Sequence, residues 1–205
     1  MTVYKAVIFD LNGVFLESRY LSDRFEETYG VPNKEFFQVM KGIMDQVRLP
    51  DAPPAFSLWE SHLKKWNVGL NETGFFNFWF SGEHLVPELV EYTRQLREQG
   101  TKVFILSNNF KERTTYYREQ FSEIFSNIDR AYFSWETGHV KPSPEAFKAL
   151  LNEQHIAPGQ TVYFDDSEKN IQIARELGIQ SFIWHGLEAA KRIIETNNNS
   201  REIHH

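Results

Sequence analysis

Residues 7–15, VIFDLNGVF, decide the fold of this chain. The apolar run before Asp10 is typical of a strand covered on both faces, because such strands lose the alternation of polar and apolar residues. Asn12 and Gly13 follow directly, and this dipeptide favours a tight turn. The stretch therefore predicts a buried strand that ends in a carboxylate and is followed by a sharp turn.

Further apolar runs of strand length occur later in the chain, and amphipathic patterns such as the one beginning at Pro87 separate them. Those patterns predict helices. Alternating strands and helices are typical of βαβ units, so we expect an α/β fold with a parallel sheet and right-handed connections. The predicted strands are residues 4–9, 102–106, 130–134, 161–164 and 180–184.

Residues 16–82 have a different pattern, with helical periodicity and no recognisable strand. We interpret this segment as an all-helical cap inserted after the first strand, and the aromatic run at 75–80 as packing mainly inside the cap. The α/β core then comprises residues 1–15 and 83–195. Residues 196–205 are polar and aperiodic, which predicts a disordered tail.

The composition excludes several classes of function. The formal net charge of the 205 residues is -6, which gives no basic surface for nucleic acid. The chain has no cysteine, so disulfides, thiolate metal sites and cysteine nucleophiles are excluded. No secretory leader or membrane-length apolar run is found, and we expect a cytoplasmic protein that does not bind membranes.

Polar side chains suited to phosphoryl chemistry lie at or just after the predicted strands. Carboxyl ends of parallel strands meet at one edge of a sheet, where ligands bind. A carboxylate at this edge can act as a nucleophile, and neighbouring acids can hold Mg²⁺, which prefers oxygen ligands. An ammonium and a hydroxyl can stabilise the phosphoryl oxygens. The candidates are Asp10, Ser107, Asn108, Lys141, Asp165 and Asp166.

The segments FDLNGV, LSNN, VKPSPEAF and FDDSEKN, in this order, resemble the four motifs of the haloacid dehalogenase superfamily of phosphatases and related hydrolases. The chain is most similar to the group with a small helical cap after the first motif, which includes sugar-phosphate phosphatases and the phosphatase domain of soluble epoxide hydrolases. The resemblance implies a three-layer, Rossmann-like core with strand order 3-2-1-4-5. It also implies Mg²⁺ dependence and a small phosphorylated metabolite as substrate.

The resemblance also implies roles for individual residues. Asp10 would form an aspartyl-phosphate, Lys141 would stabilise both nucleophile and phosphate, and Ser107 and Asn108 would bind the phosphate. Magnesium would be bound by Asp10 and Asp166, with Asp165 in support, and by the backbone carbonyl of Asn12. The assembly expected is a monomer or a homodimer.

Asn12 departs from the phosphatase pattern, which has an aspartate there as general acid and base. An amide exchanges no proton near neutral pH, so a contribution of roughly 100- to 10,000-fold to the rate would be absent. Three interpretations stay open: a slowed or altered phosphatase, a catalytically silent protein that binds a phosphorylated ligand, and an engineered residue. Carbon–halogen hydrolysis is a further alternative, but a metal-free site has no use for Asp165 and Asp166.

Overall fold

The computed structural model describes residues 4–198. A five-stranded parallel sheet forms its centre, and two short strands form a separate ribbon. In chain order the strands are β1 (Ala6–Phe9), β2 (Leu16–Ser18), β3 (Glu83–Leu85), β4 (Lys102–Ser107), β5 (Arg130–Phe133), β6 (Thr161–Asp165) and β7 (Gln180–Ile183).

The order of the large sheet is β5-β4-β1-β6-β7, with every pair parallel. Counted along the sheet's own strands, this order is 3-2-1-4-5, so the predicted topology is confirmed. In the central strand, Phe9 pairs with Ile105 on one side and Phe164 on the other. Strands β4 and β5 lie on one side of β1, and β6 and β7 lie on the other, so the strand order reverses at β1. Ligands bind at such switch points in open α/β sheets.

Helices cover both faces of the sheet and also form a separate group between β2 and β3. The helices of the described residues are α1 (Leu21–Tyr29), α2 (Asn33–Val47), α3 (Ala55–Lys65), α4 (Glu72–Phe80), α5 (Pro87–Glu98), α6 (Lys111–Gln120), α7 (Ser122–Ser126), α8 (Ser134–Thr137), α9 (Pro144–Gln154), α10 (Glu168–Glu176) and α11 (Leu187–Asn198), with a 3-10 turn at Pro158–Gln160.

The two faces of the sheet have separate hydrophobic cores. Side chains alternate along β1, so that Val7 and Phe9 pack in one core and Ala6 and Ile8 in the other. The first core includes residues of α5 and α11, and the second includes residues of α9 and α10. This three-layer arrangement explains why the strands are apolar on both sides, as the sequence predicts.

The helices α1–α4 bury a third hydrophobic cluster that consists largely of aromatic rings. Phe36 stacks on Trp59 with ring centroids 5.1 Å apart, and Trp59 contacts Phe75 at 4.9 Å. Phe75 and Trp79 of the aromatic run are buried in this cluster, in agreement with the predicted packing role. We propose that the four helices form the cap.

The structure corrects the prediction that residues 16–82 contain no strand. Leu16–Ser18 pairs antiparallel with Glu83–Leu85, with Leu16 opposite Leu85. The two connections between core and cap thus run side by side as a ribbon, and strands of three residues are too short to show a periodicity in sequence.

The predicted tail also begins too early. Helix α11 continues through Asn198, so residues 196–198 are helical, and the remainder of the predicted tail lies outside the described residues. Within residues 4–198, none of the helices combines the length and the apolarity that crossing a bilayer requires.

Candidate active site

Asp10 lies just beyond the end of β1, and its carboxylate is oriented by two donors. Its Oδ1 accepts a hydrogen bond from the backbone N–H of Leu11 at 2.7 Å and lies 3.1 Å from Lys141 Nζ. Burial raises the pKa of the Asp10 carboxyl to about 6, and the nearby Asp165 acts in the same direction, while Lys141 opposes both. The carboxylate is therefore oriented but incompletely neutralised by the protein.

Lys141 is buried between carboxylates. Its Nζ lies 2.6 Å from Asp165 Oδ2 and donates to Tyr163 Oη at 3.2 Å. Burial alone would lower the pKa of this ammonium, but the charges of Asp10 and Asp165 outweigh it and raise the pKa. The lysine is thus held charged beside the Asp10 carboxylate.

Asn108 holds the backbone of Lys141 through both ends of its amide. Its Nδ2 donates to Lys141 O at 2.7 Å, and its Oδ1 accepts from Lys141 N at 2.8 Å. These two bonds occupy the side chain that the sequence assigned to phosphate binding. Asn108 therefore positions Lys141, and its backbone N–H is the group it can offer to a phosphate oxygen.

Asp165 is fully buried, and hydrogen bonds surround its carboxylate. Ser167 N donates to Oδ1 at 2.7 Å, Asn170 Nδ2 lies within 3.1 Å of both oxygens, and the Tyr163 hydroxyl donates to Oδ2. Burial raises the pKa of this carboxyl, but Lys141 and these donors together lower it below the usual value. Asn170 thus anchors the loop, and Asp165 orients Lys141.

Oxygen atoms of Asp10, Asp165 and Asp166 lie within 4.8 Å of one another. Asp166 is exposed, and both partial burial and the neighbouring charge of Asp165 raise the pKa of its carboxyl. Gly13, with φ +81°, leaves the space that Asp166 occupies, because a Cβ there would lie 2.7 Å from Asp166 Oδ2. This set of hard oxygen donors and uncompensated negative charge fits a divalent cation.

Ser107 ends β4 beside the central strand and is 2% exposed. Its hydroxyl is engaged by no other side chain in the described part of the chain, so it remains available to an anion. Together, Asp10, Ser107 and Lys141 offer a nucleophile, a hydroxyl donor and an ammonium at one edge of the sheet. This arrangement can attack and stabilise a phosphoryl group.

The amide of Asn12 is fixed by hydrogen bonds at both ends. Its Nδ2 donates to Tyr117 Oη at 2.7 Å, and its Oδ1 accepts from Asn109 Nδ2 at 3.0 Å. Asn109 is 1% exposed and donates its backbone N–H to Ser134 Oγ at 3.1 Å. The side chain of Asn12 is therefore a structural hydrogen-bonding group with no proton to exchange.

Comparison with known proteins assigns the chain to a family. A family model described as haloacid dehalogenase-like hydrolase matches residues 4–178. This chain belongs to that family. The phosphorylated carbohydrates phosphatase of Thermotoga maritima is 24% identical over 200 residues, which cover 93% of this chain and 90% of the relative. A D-ribitol-5-phosphate phosphatase of Bacteroides thetaiotaomicron is 41% identical over 54 residues, and the match covers 26% of each chain.

Solved structures share the fold. A haloacid dehalogenase family enzyme of Bacteroides thetaiotaomicron superposes with a TM-score of 0.79 at 22% identity, covering 94% of this chain and 98% of that one. The wild-type form of the same enzyme in complex with magnesium and inorganic phosphate gives a TM-score of 0.73 at 22% identity, covering 88% of this chain and 93% of that one. The fold of this chain is therefore one already seen in solved structures.

The structure of this haloacid dehalogenase-like hydrolase adds residues that the sequence did not indicate. Arg113 of α6 forms a buried ion pair with Glu83 of β3, with Nη2 2.6 Å and Nε 2.9 Å from Glu83 Oε1. The Arg113 guanidinium also lies over the ring of Tyr117, 5.4 Å from its centroid. Burial and the charge of Glu83 hold the pKa of the Tyr117 phenol well above its usual value. The ion pair thus links the ribbon, α6 and the Asn12 network.

Proposed function

We propose that this chain is a Mg²⁺-dependent phosphatase that hydrolyses a small phosphorylated metabolite through an aspartyl-phosphate on Asp10. The observation that carries the proposal is the orientation of Asp10 by Leu11 N at 2.7 Å and Lys141 Nζ at 3.1 Å. The carbohydrate-phosphate and ribitol-phosphate phosphatases among the relatives support a phosphorylated carbohydrate or polyol as the substrate class.

Each group then has a defined part in the first step. The Asp10 carboxylate attacks phosphorus, and the bond from phosphorus to the leaving oxygen breaks. Lys141, Ser107 and the backbone N–H groups that follow donate to the phosphoryl oxygens as charge redistributes. The leaving oxygen takes its proton from solvent, because the amide of Asn12 has none to give.

Hydrolysis of the aspartyl-phosphate completes the cycle. Water attacks phosphorus, the bond to Asp10 breaks, and phosphate leaves while the water's proton passes to solvent. Since Asn12 cannot act as a base, this second step is expected to be slow.

We expect Asp10, Asp166 and the backbone carbonyl of Asn12 to hold Mg²⁺. The oxygens of Asp165 already accept hydrogen bonds from Lys141 and Asn170. The ion would neutralise charge on the phosphate and on the acids around it. The magnesium and phosphate complex of the structural relative supports this choice of ion.

The fixed amide of Asn12 also favours a second candidate function. In this alternative the protein binds a phosphorylated ligand and is catalytically silent. Both hydrogen bonds of the amide are used, to Tyr117 and Asn109, so the side chain is well accommodated as it stands. A silent protein would bind phosphate esters with Mg²⁺ but release no product.

Hydrolysis of 4-nitrophenyl phosphate separates the two candidates, because this leaving group needs little protonation. The phosphatase proposal predicts slow release of nitrophenol that requires Mg²⁺ and is absent in Asp10→Asn. It also predicts a phosphorylated peptide containing Asp10 after acid quenching. Release no faster than in Asp10→Asn, together with tight binding of the ester, would establish the silent protein instead.

A further inference from the structure

Arg48 directly follows α2, in the connection to α3, and its guanidinium has no hydrogen bond or ion pair with the described part of the chain. The Nε atom is buried without a hydrogen-bond partner. Within the described residues, the guanidinium also forms no ion pair, although Asp45 lies one helical turn earlier on α2. A partly buried cation without a counterion costs free energy, and a protein retains it when something else supplies the anion.

The segment that carries Arg48 is fixed to the core on the rim of the active site. The N–H of Ala55, at the start of α3, donates to Glu112 Oε1 of α6 at 2.8 Å. Pro50 packs beside Gly138, three residues before Lys141, with 3.6 Å between Pro50 Cγ and the position of a Cβ on that glycine. The connection that carries Arg48 thus contacts the core at α6 and at Gly138, which is close in sequence to Lys141.

Arg48 interacts electrostatically with charged groups of α2 and of the core. Burial lowers the pKa of Arg48, and the like charge of Arg113 lowers it further, whereas Asp45 and Asp10 attract the guanidinium. Glu83 already neutralises Arg113 through Oε1 at 2.6 Å. The positive charge of Arg113 disfavours the charged form of Arg48, so an oxyanion bound beside Arg48 would relieve this repulsion.

We propose that Arg48, assisted by Arg113, binds a second anionic group on the substrate, a carboxylate or a second phosphate, at the end opposite the scissile phosphate. The inference rests on the proposed phosphatase function and narrows its substrate class. The scissile phosphate has Lys141 and Ser107 at the edge of the sheet, so the cap arginine is left for the distal end of the molecule. A neutral polyol phosphate would leave the charge of Arg48 unbalanced.

The test is a series of linear alkyl phosphates of two, three and four carbons whose far end carries a hydroxyl, a carboxylate or a second phosphate. At the best chain length, we expect kcat/KM for a charged terminus to exceed that for the hydroxyl terminus by about tenfold or more. Comparison of the carboxylate and phosphate arms identifies which anion the site prefers. A hydroxyl terminus that is used equally well or better at every length would overturn the inference.

In Arg48→Gln, the ratio of kcat/KM for a charged terminus to kcat/KM for the hydroxyl terminus should fall to about one. In Arg48→Lys, this ratio should be partly restored. Lys41→Gln is the matched control, because it removes a positive charge from an exposed position on the same helix. If Arg48→Gln lowers kcat/KM equally for esters with all three termini, Arg48 either contacts the scissile phosphate or only stabilises the end of α2. The inference would then fail. Thermal unfolding of each variant checks that the fold is intact.

A measurement of binding keeps the two proposals separate. Dissociation constants of the phosphonate analogues of these esters, measured on the unaltered chain with Mg²⁺, report the preference for a charged terminus even if no ester is hydrolysed. Absence of turnover with 4-nitrophenyl phosphate contradicts the phosphatase function alone. Equal dissociation constants for charged and hydroxyl termini contradict the role of Arg48 alone.

Discussion

Asn12 donates a hydrogen bond of 2.7 Å to the hydroxyl of Tyr117, which is completely buried in helix α6. Tyr117 also lies against the Glu83 carboxylate, whose charge helps to raise the pKa of the phenol. The phenol oxygen of a neutral tyrosine can accept a hydrogen bond from an amide N–H, so an amide at position 12 is compatible with the Tyr117 hydroxyl. The surroundings of position 12 therefore suit an amide.

Asn12→Asp should restore proton transfer and change the rate-limiting step. In the chain as it stands, 4-nitrophenyl phosphate should give a burst of nitrophenol equal to the enzyme concentration, because hydrolysis of the aspartyl-phosphate is slow. In Asn12→Asp the burst should disappear, and turnover of alkyl phosphates should rise by roughly 100- to 10,000-fold. Rapid-quench kinetics measure both quantities. An unchanged burst and an unchanged alkyl rate would show that Asn12 does not limit the reaction.

Tyr117→Phe should destabilise the fold by about 1 to 3 kcal/mol, because it leaves the Nδ2 of Asn12 without its partner in a protected site. Tyr116→Phe is the matched control, since that hydroxyl lies on the same helix and has no hydrogen bond within the described residues. Urea unfolding of both variants measures the difference in free energy of unfolding. Equal losses in the two variants would mean that the bond to Asn12 contributes nothing to stability.

Much of the core could be predicted from sequence because its signals are local. Asp10 directly follows the apolar run of β1, and Asp165 and Asp166 lie at the end of β6, so the parallel sheet brings these acids to one edge. The strand order follows from the family resemblance, and the structure confirms it. These predictions needed no knowledge of distant contacts.

The residues that the sequence did not indicate are those that act across long separations. The pairing of Arg113 with Glu83 joins residues 30 positions apart, and the bond from Asn12 to Tyr117 joins residues 105 apart. Neither pair has a spacing or composition that marks it in the chain. The same reason explains the missed ribbon, in which Leu16 pairs with Leu85 although four helices lie between them in the sequence.

Mg²⁺ binding should weaken as the pH falls through about 6, the pKa to which burial raises the Asp10 carboxyl. A raised carboxyl pKa stabilises the folded protein at low pH, and this contribution is lost as the pH rises through 6, where the charged form becomes uncompensated. Magnesium compensates that charge, so its dissociation constant should rise by about tenfold per pH unit below 6. The increase in Tm caused by Mg²⁺ should accordingly be larger at pH 7.5 than at pH 5. An increase that is the same at both pH values would separate Asp10 from the metal site.

Gly13→Ala should reduce the free energy of Mg²⁺ binding by more than it reduces the free energy of unfolding. The added Cβ would lie 2.7 Å from Asp166 Oδ2, and φ of +81° is unfavourable for any residue with a side chain, so Asp166 must move away from Asp10. Gly42→Ala is the control, because this helical glycine has nothing within 4 Å of an added Cβ and should gain up to about 1 kcal/mol of stability. Calorimetric titration with Mg²⁺ should show at least about a tenfold loss of affinity for Gly13→Ala and none for Gly42→Ala. If Gly13→Ala binds Mg²⁺ as tightly as the unaltered chain, the turn after Asp10 does not hold Asp166 in a metal site, and the assignment of Asp10 and Asp166 as joint ligands fails.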